Sequence, residues 1–277
     1  MSISLSSPAQ NALNAILSSG RDIQTTQNRL ATGLKVASAA DGPAAFFTAR
    51  GLNNRAADFS ERFDKIQQGM KTVDVATKAL DSLEAVVGQM QGLADQARGT
   101  QDSGVRGQLQ AEFNELRTQI GNIVRDATYN GVNLINGEGS FNVQFSEDSS
   151  SSFNIASFNG TVSGTGSLNI TTPAASAWAG TGFAAAIGSA ISNVESALSS
   201  IRRGQTAFAT ATGLLNTRAS FTEDMMQTLR AGADQLTVAD MDEEGARLAS
   251  LNVRGQLAQT TLGLAIQREQ SILRLLG

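Results

Sequence analysis

The chain has 277 residues with no cysteine and no histidine, a formal net charge of −4 and only 5% aromatic residues. Without Cys there are no disulfides, thiolate metal sites or thiol nucleophiles, and without His the usual neutral-pH general base and commonest metal ligand are missing. The acidic balance gives no electrostatic case for nucleic acid, and no apolar run approaches the roughly 18 to 20 residues that span a bilayer.

The first element reads as a helix from Pro8 to Leu34, with Ser7 as cap and Pro8 suited to the first helical position. Ala9, Leu13, Ile16, Gly20, Ile23, Gln27, Leu30 and Leu34 step by four and three, which is the spacing of a coiled-coil seam. Gly20 and Gln27 leave gaps, so this helix is marginal alone. The N-terminus shows no basic leader ahead of an apolar core, which on its own favours a cytosolic protein and leaves open export by a route that does not cut the N-terminus.

"SAADGPAAFF" then breaks the pattern: Asp41 can cap, Gly42 tolerates the turn and Pro43 starts a second helix. Its stripe runs Phe63, Ile66, Met70, Val73, Thr77 and Leu80, takes two successive three-residue steps through Leu83, and continues to Ala97. That double step predicts a stammer in the coiled coil. "GTQDSGVRG" ends the helix, and a third carries Leu109, Phe113, Leu116, Ile120 and Ile123 on one face. Asn-Gly pairs in "TYNGVNLINGEG" mark turns.

From Phe141 the period changes to two. "FNVQF" and "SFNIASF" predict two half-buried strands joined through polar "SEDSS", and "SGTGSLNITTP" allows one more short strand. A fourth helix from near Gly180 keeps a 4-3 step from Ile187 to Leu236. The chain restarts at "LTVADMDEEGA", where Asp240 with Glu243 fits a capping box loosely. A fifth helix follows, with a seam of Leu248, Leu251, Gly255, Ala258, Leu262, Ala265, Glu269, Ile272 and Leu276. Leu257, Leu264 and Leu275 lie outside that seam, so its apolar surface is broader than one face. The fold class is mainly α: a long antiparallel helical coiled coil with a small β-hairpin region. The terminal helices carry apolar surface that is either ordinary bundle core or a binding interface.

Several features have plain structural readings. Asp240, Asp242, Glu243 and Glu244 read as a solvated acidic helix start, since no ligand spacing supports a metal cage. Gly137-Glu138-Gly139 and Gly164-Thr165-Gly166 read as turns and Arg202-Arg203 as a solvated patch. No cofactor and no enzymatic activity are expected. Ser149, Ser150, Ser151, Ser152, Thr161, Ser163 and Thr165 read as flexible loop and as candidates for O-glycosylation.

Three stretches, in order, carry a resemblance. "NRLATGLKVASAADGPAA", "LQAEFNELRTQIGNIVRDATYNGVNLI" and "ADMDEEGARLASLNVRGQLAQTTLGLAIQREQSILRLLG" are similar to the bacterial flagellins, subunits of the flagellar filament. The resemblance covers nearly the whole chain. It implies a helically polymerising structural protomer for motility, with the hook-filament junction protein as the alternative and a coiled-coil adaptor as a reading from another class. It implies residues 1–42 as an N-terminal inner-core helix, 43–137 and 180–238 as outer-layer helices, 138–179 as a β-hairpin tip, and 239–277 as a C-terminal inner-core helix. The terminal helices would then pair in the filament core. The assembly interface would use Leu13, Ile16, Ile23, Leu30 and Leu34 of the first helix. From the last it would take Leu251, Leu257, Leu262, Leu264, Ile272, Leu275 and Leu276, with Asp41, Gly42 and Pro43 as the break between layers. Implied partners are other copies, an export chaperone, and hook-associated and cap proteins, with no nucleic acid or membrane. Unprocessed secretion through the flagellum is also implied. The segment between third and fourth helices is short for the family, which predicts a thin filament. Gln91-Gly92 stands where members seen by an innate immune receptor carry Arg-Glu, so recognition is expected to be weak.

Overall fold

The computed structural model describes residues 7–146, 150–164 and 168–276, leaving aside the side chains of residue 269 and residues 272–276. Five helices and one hairpin follow in the order α1 Ser7–Thr32, α2 Pro43–Gly99, α3 Ser103–Asp126, β1 Ser140–Gln144, β2 Ser152–Ala156, α4 Phe183–Thr237 and α5 Met241–Leu276. The chain divides into two compact units, residues 1–56 with 227–277 and residues 57–226.

The second unit holds a continuous core. Along α2 in this unit, with Thr72 and Ala79 buried beside it, the buried seam runs Ile66, Gly69, Val73, Ala76, Leu80, Leu83, Val87, Met90, Ala94 and Ala97. These step 3-4-3-4 without interruption, so the predicted stammer is absent. Gly69 and Ala76 take the places expected for Met70 and Thr77, which are only half-buried. A small residue wins at Gly69 because a Cβ there would sit 2.9 Å from Val143 of β1, closer than packed carbons approach. Gly204 of α4 does the same for Leu80 and Phe158, at 3.0 and 2.9 Å. The next residue, Gln205, reaches Asp81 at 2.9 Å and Glu84 at 3.0 Å, and Arg202 donates to Glu84 at 3.0 Å. Arg202 therefore clasps α4 to α2; it is not merely solvated.

The hairpin pairs β1 and β2 antiparallel, with Phe141 opposite Ile155 and Val143 opposite Phe153 on the inward face. Such apolar cross-strand pairs are what stabilise a two-stranded sheet, and the helices behind it supply the third layer it needs. Arg218 of α4 stands 5.0 Å over the Phe145 ring and adds a cation–π contact.

No third strand forms among the described residues of 160–182. That segment lies as an irregular strap with Leu168, Ile170 and Trp178 buried. Side chains of α3 satisfy its backbone: Arg117 donates to Ile170 O at 2.7 Å, Gln110 to Ala174 O at 2.8 Å and Arg106 to Trp178 O at 2.6 Å. Gln110 also accepts from Trp178 N–H at 3.0 Å. A buried chain without ladder partners needs such bonds, because orphaned peptide groups are costly inside a core. Asp102 caps α3, its carboxylate accepting from Gly104 and Val105 N–H.

Candidate assembly surface

The first unit is built from α1, the first turns of α2, the last turns of α4, and α5. Gly33, with φ +71, ends α1 at Thr32, two residues short of the expected Leu34; its N–H closes on Arg29 O at 2.8 Å. Only a residue that enters the left-handed region cheaply can do this, which explains the glycine. The chain then pairs with the exit of α4. Lys35 N–H donates to Thr237 O, Ala239 N–H donates to Gly33 O, and Leu34 and Val238 form an antiparallel bridge.

The helix break works differently from the expectation. Pro43 is the first residue of α2, and Gly42 O accepts the first intrahelical bond from Phe46 N–H at 2.9 Å. Asp41 does not cap the helix. Its carboxylate turns back and accepts from Ala37 N–H, Ser38 N–H and the Ser38 hydroxyl at 3.2, 2.9 and 2.9 Å. The Ser38 hydroxyl first, then the amides, hold this carboxyl below the ordinary aspartate range. Because the folded state depresses its pKa, the turn is fully supported at neutral pH. It loses that support as acid carries pH below the ordinary aspartate value and through the lowered one. Asp41→Ala is expected to lower the protection factors of the Ala37 and Ser38 amides several-fold at neutral pH and to remove the acid dependence of that protection. NMR exchange measurements check both.

The two terminal helices pack on each other. From Leu248 to Ala265 the α5 seam falls at the expected positions, with Leu251 and Ala258 buried and Leu248, Gly255, Leu262 and Ala265 half-buried; Glu269, Ile272 and Leu276 lie outside the described side chains. In α1 it is shifted by one at every second position. Ala12, Ser19 and Thr26 are buried, alternating with half-buried Ile16, Ile23 and Leu30, whereas Leu13, Gly20 and Gln27 are exposed. Small side chains occupy the tight positions, and Leu13 is left outside at 37% exposure.

At one end of the pair Arg29 meets Glu244 at 2.9 Å, and the Glu244 side chain is 9% exposed. Glu244 was expected to be solvated with its acidic neighbours; instead it ties α5 to α1. Asp240 caps α5, accepting from Asp242 and Glu243 N–H at 3.0 and 3.2 Å, while both of those side chains face water. Among the described residues no acidic group forms a cluster that could hold a metal ion.

The balance of apolar surface separates the two units. Twelve large hydrophobic side chains are exposed among the described residues, and nine belong to the first unit: Leu13, Leu17, Phe47, Val238, Met241, Val253, Leu257, Leu264 and Ile266. Among its described residues that unit buries Ala9, Ala12, Ala49, Ala56, Ala233, Ala239 and Ala258, and only two larger apolar residues, Leu229 and Leu251. The second unit buries Trp178, Phe113 and a full set of Leu, Ile and Val. Leu257 and Leu264, each 62% exposed, stand one heptad apart on the outward face of α5. Of the interface residues expected from sequence, Leu13, Leu257 and Leu264 face outward. Leu251 is buried, and Ile16, Ile23, Leu30, Leu34 and Leu262 are half-buried. The side chains of Ile272, Leu275 and Leu276 lie outside the described residues.

The tip serines divide as well. Ser150, Ser152 and Ser163 are exposed, while Ser151 is half-buried. Thr161 is half-buried too, with its hydroxyl donating to Asn159 at 2.6 Å. Ser149 and Thr165 lie outside the described residues.

Comparison with known proteins bears on this architecture. Residues 3–140 match the family model for the bacterial flagellin N-terminal helical region. Flagellin FljM of Caulobacter vibrioides is 30% identical over 275 residues, covering 99% of this chain and 98% of its own. The chain belongs to the bacterial flagellin family. Flagellin FljK of the same organism is 29% identical over 275 residues with the same coverage. The flagellin of Brucella melitensis is 29% identical over 291 residues, again across 99% and 98% of the two chains. Flagellin relatives thus align along both units, including the helices that leave apolar surface uncovered. No described helix of this flagellin is long and apolar enough to cross a membrane.

Proposed function

We propose that this flagellin is a structural protomer that polymerises helically into the bacterial flagellar filament, and that neighbouring protomers cover the apolar surface of its first unit. One observation carries the reading: nine of the twelve exposed large hydrophobics fall on the unit that buries mostly alanine. Apolar surface in that amount marks an interface. In this proposal residues 1–42 and 239–277 line the filament core, residues 43–137 and 180–238 form the layer around it, and residues 138–179 sit at the tip. Leu13, Leu257 and Leu264 meet neighbouring copies, joined by Ile272, Leu275 and Leu276. The seam residues Ile16, Ile23, Leu30, Leu251 and Leu262 hold the two terminal helices to each other, and Leu34 ties the chain after α1 to the exit of α4. Asp41, Gly42 and Pro43 mark the passage between layers.

Sheared filament fragments mixed with purified monomer, followed by electron microscopy, test this. Elongation from the fragments is expected. A protein that decorates the fragment ends and stops would be a hook-associated junction protein instead. We further propose that the chain leaves the cell through the flagellum itself, escorted by an export chaperone, and meets hook-associated and cap proteins at the ends of the filament. Gln91-Gly92 supports weak recognition by the innate immune receptor, and a strong reporter-cell response to purified protein would contradict it. Among the tip hydroxyls, Ser150, Ser152 and Ser163 are the accessible candidates for O-glycosylation, and an unshifted intact filament mass removes that proposal.

A further inference from the structure

The chain contains three Asn-Gly pairs, at Asn130-Gly131, Asn136-Gly137 and Asn159-Gly160. They share one chemical liability. The glycine backbone nitrogen, unshielded by a side chain, can lose its proton and attack the asparagine Cγ. The new C–N bond closes a succinimide as the side-chain amide leaves as ammonia, and one water then opens the ring to aspartate or isoaspartate. Attack requires a free glycine N–H and a free asparagine side chain, so the surrounding hydrogen bonds decide which pair reacts.

Two of the pairs are locked. Gly137 N–H donates to Phe158 O at 3.1 Å, and Asn136 Oδ1 accepts from Glu138 N–H at 2.9 Å. A Cβ at Gly137 would meet the Asn159 side chain at 2.6 Å, so that face is covered as well. Gly160 N–H donates to Ile135 O at 2.8 Å, Gly160 is buried, and Asn159 Oδ1 accepts from Thr161 N–H and its hydroxyl.

The third is open. Asn130 and Gly131, with φ of 48 and 79, are the two central residues of a tight turn closed by reciprocal Tyr129 and Val132 bonds, both 2.9 Å. This conformation demands Asn and Gly. Both residues are exposed, and among the described residues neither the Gly131 N–H nor the Asn130 side chain makes a hydrogen bond. Nothing lies within 4 Å of the position a Gly131 Cβ would take.

We propose that Asn130 is a site of spontaneous deamidation in the folded protein and that Asn136 and Asn159 are protected by the fold. The isoaspartyl product adds a backbone methylene to a two-residue turn and a negative charge beside it. The turn feeds the anchor made by Asn133, whose side chain donates to Val124 O at 2.7 Å, and the buried Leu134 and Ile135.

The test uses the full-length wild-type chain, incubated at mildly alkaline pH in ¹⁸O-labelled water and followed by peptide mapping with mass spectrometry. The Asn130 peptide is expected to take up the label, as aspartate and isoaspartate, at least about tenfold faster than the Asn136 and Asn159 peptides, since two hydrogen bonds must first break at Asn136 and three at Asn159. In denaturant the three rates are expected to converge, which assigns the difference to the fold and not to the flanking residues. Equal rates in the folded protein, faster conversion at Asn136 or Asn159, or an unchanged spread of rates in denaturant would each overturn the proposal.

Discussion

Leu257→Glu with Leu264→Glu is expected to abolish filament growth while leaving the monomer folded. Both side chains are 62% exposed, so the isolated chain loses little when they change. In a filament each would be covered, and burying one leucine is worth roughly 1.5 to 3 kcal/mol. Losing two removes about 3 to 6 kcal/mol per protomer contact, which raises the critical concentration on the order of a hundredfold or more. A carboxylate forced into an apolar contact adds to that cost. Seeded elongation followed by light scattering checks the loss, and unchanged far-ultraviolet helicity and unchanged exchange of the α1 and α5 amides in the monomer check that the first unit is intact. Leu251→Glu provides the contrast. Leu251 is 8% exposed in the seam between α1 and α5, so its replacement should disrupt that pair in the monomer itself. Normal growth by the double variant would show that the outward face of α5 is not a contact surface.

The second large effect is expected at Trp178. It is fully buried, its ring 5.1 Å from Phe113, and its backbone N–H and C=O are held by Gln110 and Arg106 of α3. Arg106 in turn stacks 3.8 Å over Phe183 at the start of α4. Trp178→Ala removes a large side chain from a core that cannot close around the void, at a cost of about 3 to 5 kcal/mol. For a unit of residues 57–226 that corresponds to a fall in Tm of roughly 6 to 20 °C, measurable by calorimetry. Because Trp178 is the sole tryptophan, wild-type fluorescence reports this unit alone. A loss below about 1 kcal/mol would mean that the strap of 160–182 does not belong to the cooperative core.

Much of this architecture is legible in the residues. The 4-3 stepping of α4 from Leu215 to Ala233, the period-two runs at 141–145 and 152–158, and the Asp-Gly-Pro break each follow from one dominant local rule. Earlier in α4, by contrast, Ala197, Gly204 and Ala211 are buried where the same stepping points to Leu198, Gln205 and Thr212. The seam of α5 was equally readable, because Leu248, Leu251, Ala258 and Leu262 are apolar at regular spacing. The seams of α1 and of the Gly69 region of α2 were not. There the buried positions belong to Ser19, Thr26, Gly69 and Ala76, and apolarity alone points to their larger neighbours. What selects the small residue is the close approach of another element, as at Gly69 against Val143, and no local pattern reports that.

The strap was missed for a related reason. Its peptide groups are satisfied by Arg106, Gln110 and Arg117, three polar residues on α3 that read as ordinary surface until the chain from Ile170 to Trp178 is laid across them. Glu244 and Asp41 show the limit for charges. Sequence places an acid near a helix start, but only the fold decides whether it caps, as Asp240 does, reaches across to Arg29, or turns back to Ser38.

Hydrogen–deuterium exchange on monomer and assembled filament compares most directly the unit that holds its own core with the unit whose outward face is uncovered. In the monomer, amides of α1 and α5 should exchange far faster than those of α3, the hairpin and the parts of α2 and α4 within residues 57–226. In the filament the terminal helices should become as protected as the rest. Terminal helices already as strongly protected in the monomer as the second unit, with no gain on assembly, would contradict the account.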